Sequence, residues 1–139
     1  MDKERISSKI DELEGYLSKI SEYLPADFED YERDEMRRRA LERLLHISIE
    51  GVIDISALMV KELKLGVPSD EDDYFDKLAE RGVIGRDLAE KMKKMRRFRN
   101  ILVHRYSYLD DARVFELLTH DIKDLKEFSE QIKDFLARR

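Results

Sequence analysis

Ile6, Ile10, Leu13, Leu17, Ile20 and Leu24 recur at steps of four, three, four, three and four residues, which draws a single apolar stripe along a helix. Pro25 stops that pattern. From residue 32 to residue 65 the helical spacing resumes through Met36, Ala40, Leu44, Ile47, Val52, Ile55, Leu58 and Met59. The second half of this stretch, HISIEGVIDISALMV, is apolar almost all round and is expected at the centre of a bundle. Gly66 and Pro68 end it, and Ser69-Asp-Glu-Asp72 reads as an N-cap with acidic residues at a positive helix end. A short helix through Tyr74, Phe75 and Leu78 follows, then a turn at RGVIG. A further helix is predicted from residue 86 to about 104, with a break at 107 to 111. The last helix begins near Asp110 or Asp111 and carries Val114, Leu117, Leu118, Ile122, Leu125, Phe128, Ile132 and Phe135.

No stretch alternates apolar and polar residues for long enough to form a strand. The expected fold is therefore all-α, an up-and-down bundle of four main helices plus one short helix, in one domain over residues 1–139. The apolar surplus on the second long helix suggests a homodimer. Nothing in the sequence reaches the roughly 18 apolar residues needed to cross a bilayer, so a cytoplasmic protein with no membrane partner is expected. With no cysteine and three scattered histidines, no metal or cofactor is expected.

The formal net charge is −5, which argues against coating nucleic acid by bulk attraction. One segment opposes that balance. Between Lys91 and Tyr106 stand Lys91, Lys93, Lys94, Arg96, Arg97, Arg99 and Arg105, with no acidic residue among them. A solvated helix face would account for the charges alone. Arg and His at helical spacing are not rare here, since Arg39 precedes His46 and Arg113 precedes His120 by seven positions. Arg99 and His104 differ in context: Asn100 follows the arginine, Tyr106 lies two beyond the histidine, and the histidine falls where a helix ends.

Asn100 and His104 are four apart on one helix face, so the amide can orient the imidazole. Such an imidazole can move a proton at neutral pH, and the Arg99 guanidinium can grip phosphate in a bidentate fork. Together they suit chemistry on a phosphodiester. Lys94, Arg96, Arg97 and Arg105 are the accompanying candidates for contact with a phosphodiester backbone. Glu50 and Asp54 share one face of the most apolar helix, where a carboxylate needs a partner; either can fix Arg99 or His104 from behind. His46, one turn before Glu50, can join that network but is expected rather to pack or reach solvent. Tyr106 alone reads as a half-buried packing residue.

The string RNILVHRY resembles the Arg-x4-6-His motif of the HEPN superfamily, and most closely the Arg-Asn-x-x-x-His-x-Tyr form of its HepT toxins. LERLLHISIEGVIDIS is similar to that family's central helix. The resemblance implies a metal-independent endoribonuclease toxin whose antitoxin is a minimal nucleotidyltransferase (MNT). It further implies Arg99 and His104 as catalytic residues, Asn100 as their positioner, and a dimer whose two motifs share one cleft. Tyr106 would be the acceptor of AMP groups from the nucleotidyltransferase, with Tyr108 the nearby alternative. A non-catalytic HEPN module that binds nucleotide or RNA, or scaffolds the nucleotidyltransferase, is the competing expectation.

Overall fold

The structure is a computed structural model and describes residues 1–103 and 111–139. Its helices are α1 (Lys3–Tyr23), α2 (Phe28–Arg33), α3 (Glu35–Glu62), α4 (Glu71–Arg81), α5 (Arg86–Val103), α6 (Asp111–Glu116) and α7 (Ile122–Ala137), with a π-helical turn, Leu117–Asp121, joining the last two. The bundle is all-α, as the periodicity predicts. Among the described residues no helix is long and apolar enough to cross a membrane.

The stripe of α1 is buried through Ile6, Ile10, Leu13, Leu17 and Ile20, and it lies along α3. α3 itself is enclosed by α1, α4, α5 and α7, which explains its near-continuous apolar run: Val52, Ile53, Ile55, Leu58, Met59 and Val60 are all buried. At roughly 25 cal/mol per Å² of apolar surface removed from water, these contacts dominate the stability of the bundle.

Two local features depart from the expected pattern. The run predicted from residue 32 is broken at Asp34, whose extended backbone (φ −104°, ψ 90°) and side-chain bond to the Arg37 N–H (3.0 Å) start α3 afresh. The preceding turn becomes α2, capped by Asp27, and it seats Tyr31 fully buried between Phe28 and Phe115. α2 is thus a short helix beyond the one expected, which is α4. In the last helix the apolar positions 114, 118 and 122 step by four twice, faster than a 3.6-residue turn returns to one face. The wider π turn absorbs that drift and keeps Leu118 and Ile122 on the core side.

α4 ends on Gly82, whose left-handed backbone (φ 83°) lets the Val83 N–H bond back to the Leu78 carbonyl (2.8 Å) and turns the chain sharply into α5. Phe75 and Leu78 anchor α4 in the core while its acidic first turn stays at the surface. This hairpin sets α4 beside the arginines of α5.

The Tyr31 hydroxyl is buried with no hydrogen-bond partner among the described residues, and burial pushes its pKa upward. Tyr31→Phe is expected to leave stability unchanged or raise it by up to about 1 kcal/mol, because only an unsatisfied hydroxyl is removed. Urea unfolding checks this; a loss larger than about 1 kcal/mol would mean that the hydroxyl is bonded in solution.

Candidate active site

The buried edge of α5 is Leu88, Met92, Met95, Phe98 and Leu102, and this spacing fixes where its cations go. Arg96 and Arg99 are one helical turn apart and flank the buried edge on the side facing α3 and α4. Arg99 is only 14% exposed, so its guanidinium has lost most of its water and must be repaid by partners.

All three of its nitrogens are engaged. Nε donates to Asn100 Oδ1 (3.0 Å), Nη1 to Glu50 Oε1 (3.0 Å) on α3, and Nη2 to Glu71 Oε1 on α4. Burial works to lower the Arg99 pKa, but the bond and charge of Glu50, joined by Glu71, outweigh it and hold the group above its ordinary value. Arg99 is a fixed cation.

The network extends in both directions. His46 Nε2 lies 3.3 Å from the same Glu50 oxygen, and His46 Nδ1 lies 3.1 Å from Arg43 Nη1. Beyond Glu71, Asp72 accepts from Arg96 Nε (2.7 Å) and Arg97 Nη2 (3.2 Å), while Arg96 Nη1 stands 3.7 Å from Glu71 Oε1. A second tie between the same helices sits further along: Asp76 on α4 accepts from Lys93 (2.6 Å) and Arg86 (2.8 Å).

Of the residues singled out in the sequence, Arg99, Asn100, Glu50, Arg96 and Arg97 come together around the start of α4. Asp54 does not: it is exposed and makes no ion pair among the described residues. Lys94 is also exposed and lines a different feature, a groove of about 560 Å³ between α5 and α6 shared with Lys91, Arg97, Phe98 and Arg113. Arg97 borders both regions. His104, Arg105, Tyr106 and Tyr108 lie outside the described residues.

Two participants were not anticipated. Glu71 and Asp72 read as helix-cap residues, and Asp70 is indeed the N-cap of α4, accepting from the Asp73 N–H (2.9 Å). The acids behind it do a second thing, which is to neutralise the basic run of α5, so the expected local positive field is much reduced at Arg96, Arg97 and Arg99. His46 takes the other of the two roles its spacing allows and joins the Glu50 network. The other Arg/His pairings do not form: Arg39 bonds Glu42 (3.2 Å) on its own helix, and His120 is exposed on the π turn. Chemically, the cluster is a desolvated guanidinium held in one orientation five residues ahead of His104.

A family profile described as ribonuclease HepT-like matches residues 13–132. A putative RNase of Archaeoglobus fulgidus is 39% identical over 97 residues, 66% of this chain and 68% of that protein. The mRNA nuclease HepT of Shewanella oneidensis is 34% identical over 84 residues, 60% of this chain and 63% of its own length. Among solved structures, the tri-AMPylated Shewanella oneidensis HEPN toxin in complex with MNT antitoxin superposes with a TM-score of 0.86 at 28% identity, covering 96% of this chain and 99% of that one.

The bond to Lys93 holds the Asp76 carboxyl below its ordinary range, against an opposing push from partial burial and with added help from Arg86. A depressed folded pKa stabilises the fold above the unfolded value, near 4, and that contribution is lost as pH falls through the folded value. Asp76→Asn should therefore lower the urea midpoint at pH 7 and flatten its decline below about pH 4. An acid limb identical to wild type would show that the Asp76 pair contributes nothing.

Proposed function

The chain belongs to the HepT-like ribonuclease family, and from that premise we propose the chemistry by which this ribonuclease cuts RNA. Arg99 and His104 are its catalytic residues, and Asn100 is their positioning residue. His104 accepts the proton of a ribose 2′-OH, and the freed O2′ attacks the adjacent phosphorus. Arg99 stabilises the charge that builds on the non-bridging oxygens of the pentacoordinate state. The P–O5′ bond then breaks, and the leaving O5′ takes a proton from a second imidazole, the partner's His104 in a homodimeric cleft. The products are a 2′,3′-cyclic phosphate and a 5′-OH, and no metal ion takes part. Lys94, Arg97 and Arg105 hold the RNA backbone, while Arg96, which the sequence also offered for that role, stays engaged with the acids of α4.

The observation that carries this reading is the state of Arg99. A surface arginine on a helix end would be hydrated and free to move. This one is desolvated, kept charged by Glu50 and aligned by Asn100, which is the preorganisation that transition-state stabilisation requires.

Control of the activity is proposed to run through an MNT nucleotidyltransferase antitoxin that transfers AMP from ATP to Tyr106. Two residues from His104, the added phosphate and adenine would repel RNA and fill the cleft. The similar Shewanella toxin, tri-AMPylated and in complex with its MNT antitoxin, supports this reading.

Two outcomes test the proposal. Purified, unmodified protein should cleave a mixture of tRNA and messenger RNA in EDTA, whereas Arg99→Ala and His104→Ala, each still folded, should lose about 100-fold or more of the rate. Cutting that EDTA abolishes, or products with 3′-OH ends, would overturn the mechanism. After incubation with the nucleotidyltransferase and ATP, mass spectrometry of peptides should find AMP on Tyr106; a first AMP on Tyr108 or elsewhere would refute that assignment.

A further inference from the structure

Arg99 as it stands has no open edge for a bidentate grip on phosphate. Asn100, Glu50 and Glu71 take three of its five N–H donors, one on each nitrogen, and a phosphodiester approaching the Nη2 side meets the Glu71 carboxylate. One carboxylate has to yield before that grip can form. The two are not equivalent.

Glu50 projects from the middle of the 28-residue α3, between the buried residues Ile49 and Val52, and also receives His46 at 3.3 Å. It is tied into the scaffold. Glu71 is the first residue of α4, directly after the exposed residues Ser69 and Asp70. It already has an alternative partner, because its Oε1 is 3.7 Å from Arg96 Nη1. Moving the carboxylate wholly onto Arg96 leaves its charge at the positive end of α4, where the helix continues to stabilise it. Arg96 is meanwhile kept in place by Asp72 through Nε (2.7 Å).

We propose that Glu71 is an intramolecular placeholder for the RNA phosphate: it caps Arg99 in the free protein and shifts to Arg96 when a phosphodiester takes the Nη2 side of the guanidinium. Glu50 stays in place throughout and keeps Arg99 oriented. The inference rests on Arg99 being the phosphate ligand of the proposed function. Free protein is thereby held in a state of lowered affinity for RNA, and the energy of displacing Glu71 is subtracted from substrate binding.

The test measures binding of a labelled single-stranded RNA oligonucleotide in a His104→Ala background, so that nothing is cut. Adding Glu71→Gln should tighten binding about fivefold, the scale of one partly exposed ion pair. Glu71→Ala should shift it in the same direction. Glu80→Gln, which removes the same charge from an exposed position on α4, should bind like the background protein. Adding Arg99→Ala should erase the Glu71→Gln gain, a coupling that a general charge effect would not show. The placeholder is refuted if Glu71→Gln binds no tighter, if Glu80→Gln gains as much, or if the gain survives without Arg99. Cleavage by the protein with His104 intact separates the two readings. If it cuts no RNA yet Glu71→Gln binds more tightly through Arg99, the ribonuclease mechanism fails and the placeholder stands; if it cuts and the gain is absent, the reverse holds.

Discussion

The ion pair between Glu50 and Arg99 joins the middle of the central helix to the far end of α5, 49 positions on, and the geometry of the site depends on it. A guanidinium so poorly exposed is tolerated only with a carboxylate in reach. On the side of α3 that faces α5, Glu50 provides that carboxylate in an otherwise apolar stretch. Burial of α3 by its neighbours fixes the height of Glu50, and the buried edge of α5 fixes the rotation of Arg99. The hydrophobic core and the polar site are thus set by the same helix faces.

The acidic turn of α4 adds a different kind of constraint. Asp70, Glu71 and Asp72 serve the helix by capping it and opposing its positive end, and the latter two also meet the arginines of α5. A chain of net negative charge can therefore carry a dense basic run without presenting it whole to solvent. Lys94 stays exposed on the groove side, and Lys91 beside it stands 3.8 Å from Asp124 of α7.

What the sequence made legible follows from what is local. The stripes of α1 and α7, the extent of α5, the central place of α3 and the turn at Gly82 all follow from spacing and turn chemistry, which act over a few residues. The break at Asp34 was hidden because an aspartate among charged neighbours looks like any surface acid until its side chain is seen closing on the Arg37 N–H. The π turn was hidden because two steps of four can also be read as a sloppy stripe. Contacts of Arg99 with Glu71, and of Arg96 with Asp72, span 28 and 24 positions and have no periodic signature. Glu50 was legible as a carboxylate in need of a partner; Asp54, on the same face by spacing, is exposed instead.

The bond between Arg43 and His46 has a consequence for which protons the imidazole can carry. Arginine has five donors and no acceptor, so His46 Nδ1 must offer a lone pair to Arg43, and the neutral ring then bears its hydrogen on Nε2, pointing at Glu50. Every bond in this branch runs one way, from Arg43 through the ring to a carboxylate that also receives Arg99. The lone pair of His46 Nδ1 is engaged by Arg43, which sets the tautomer of the neutral ring and makes it a spacer that links the Arg43 cation to the Glu50 carboxylate.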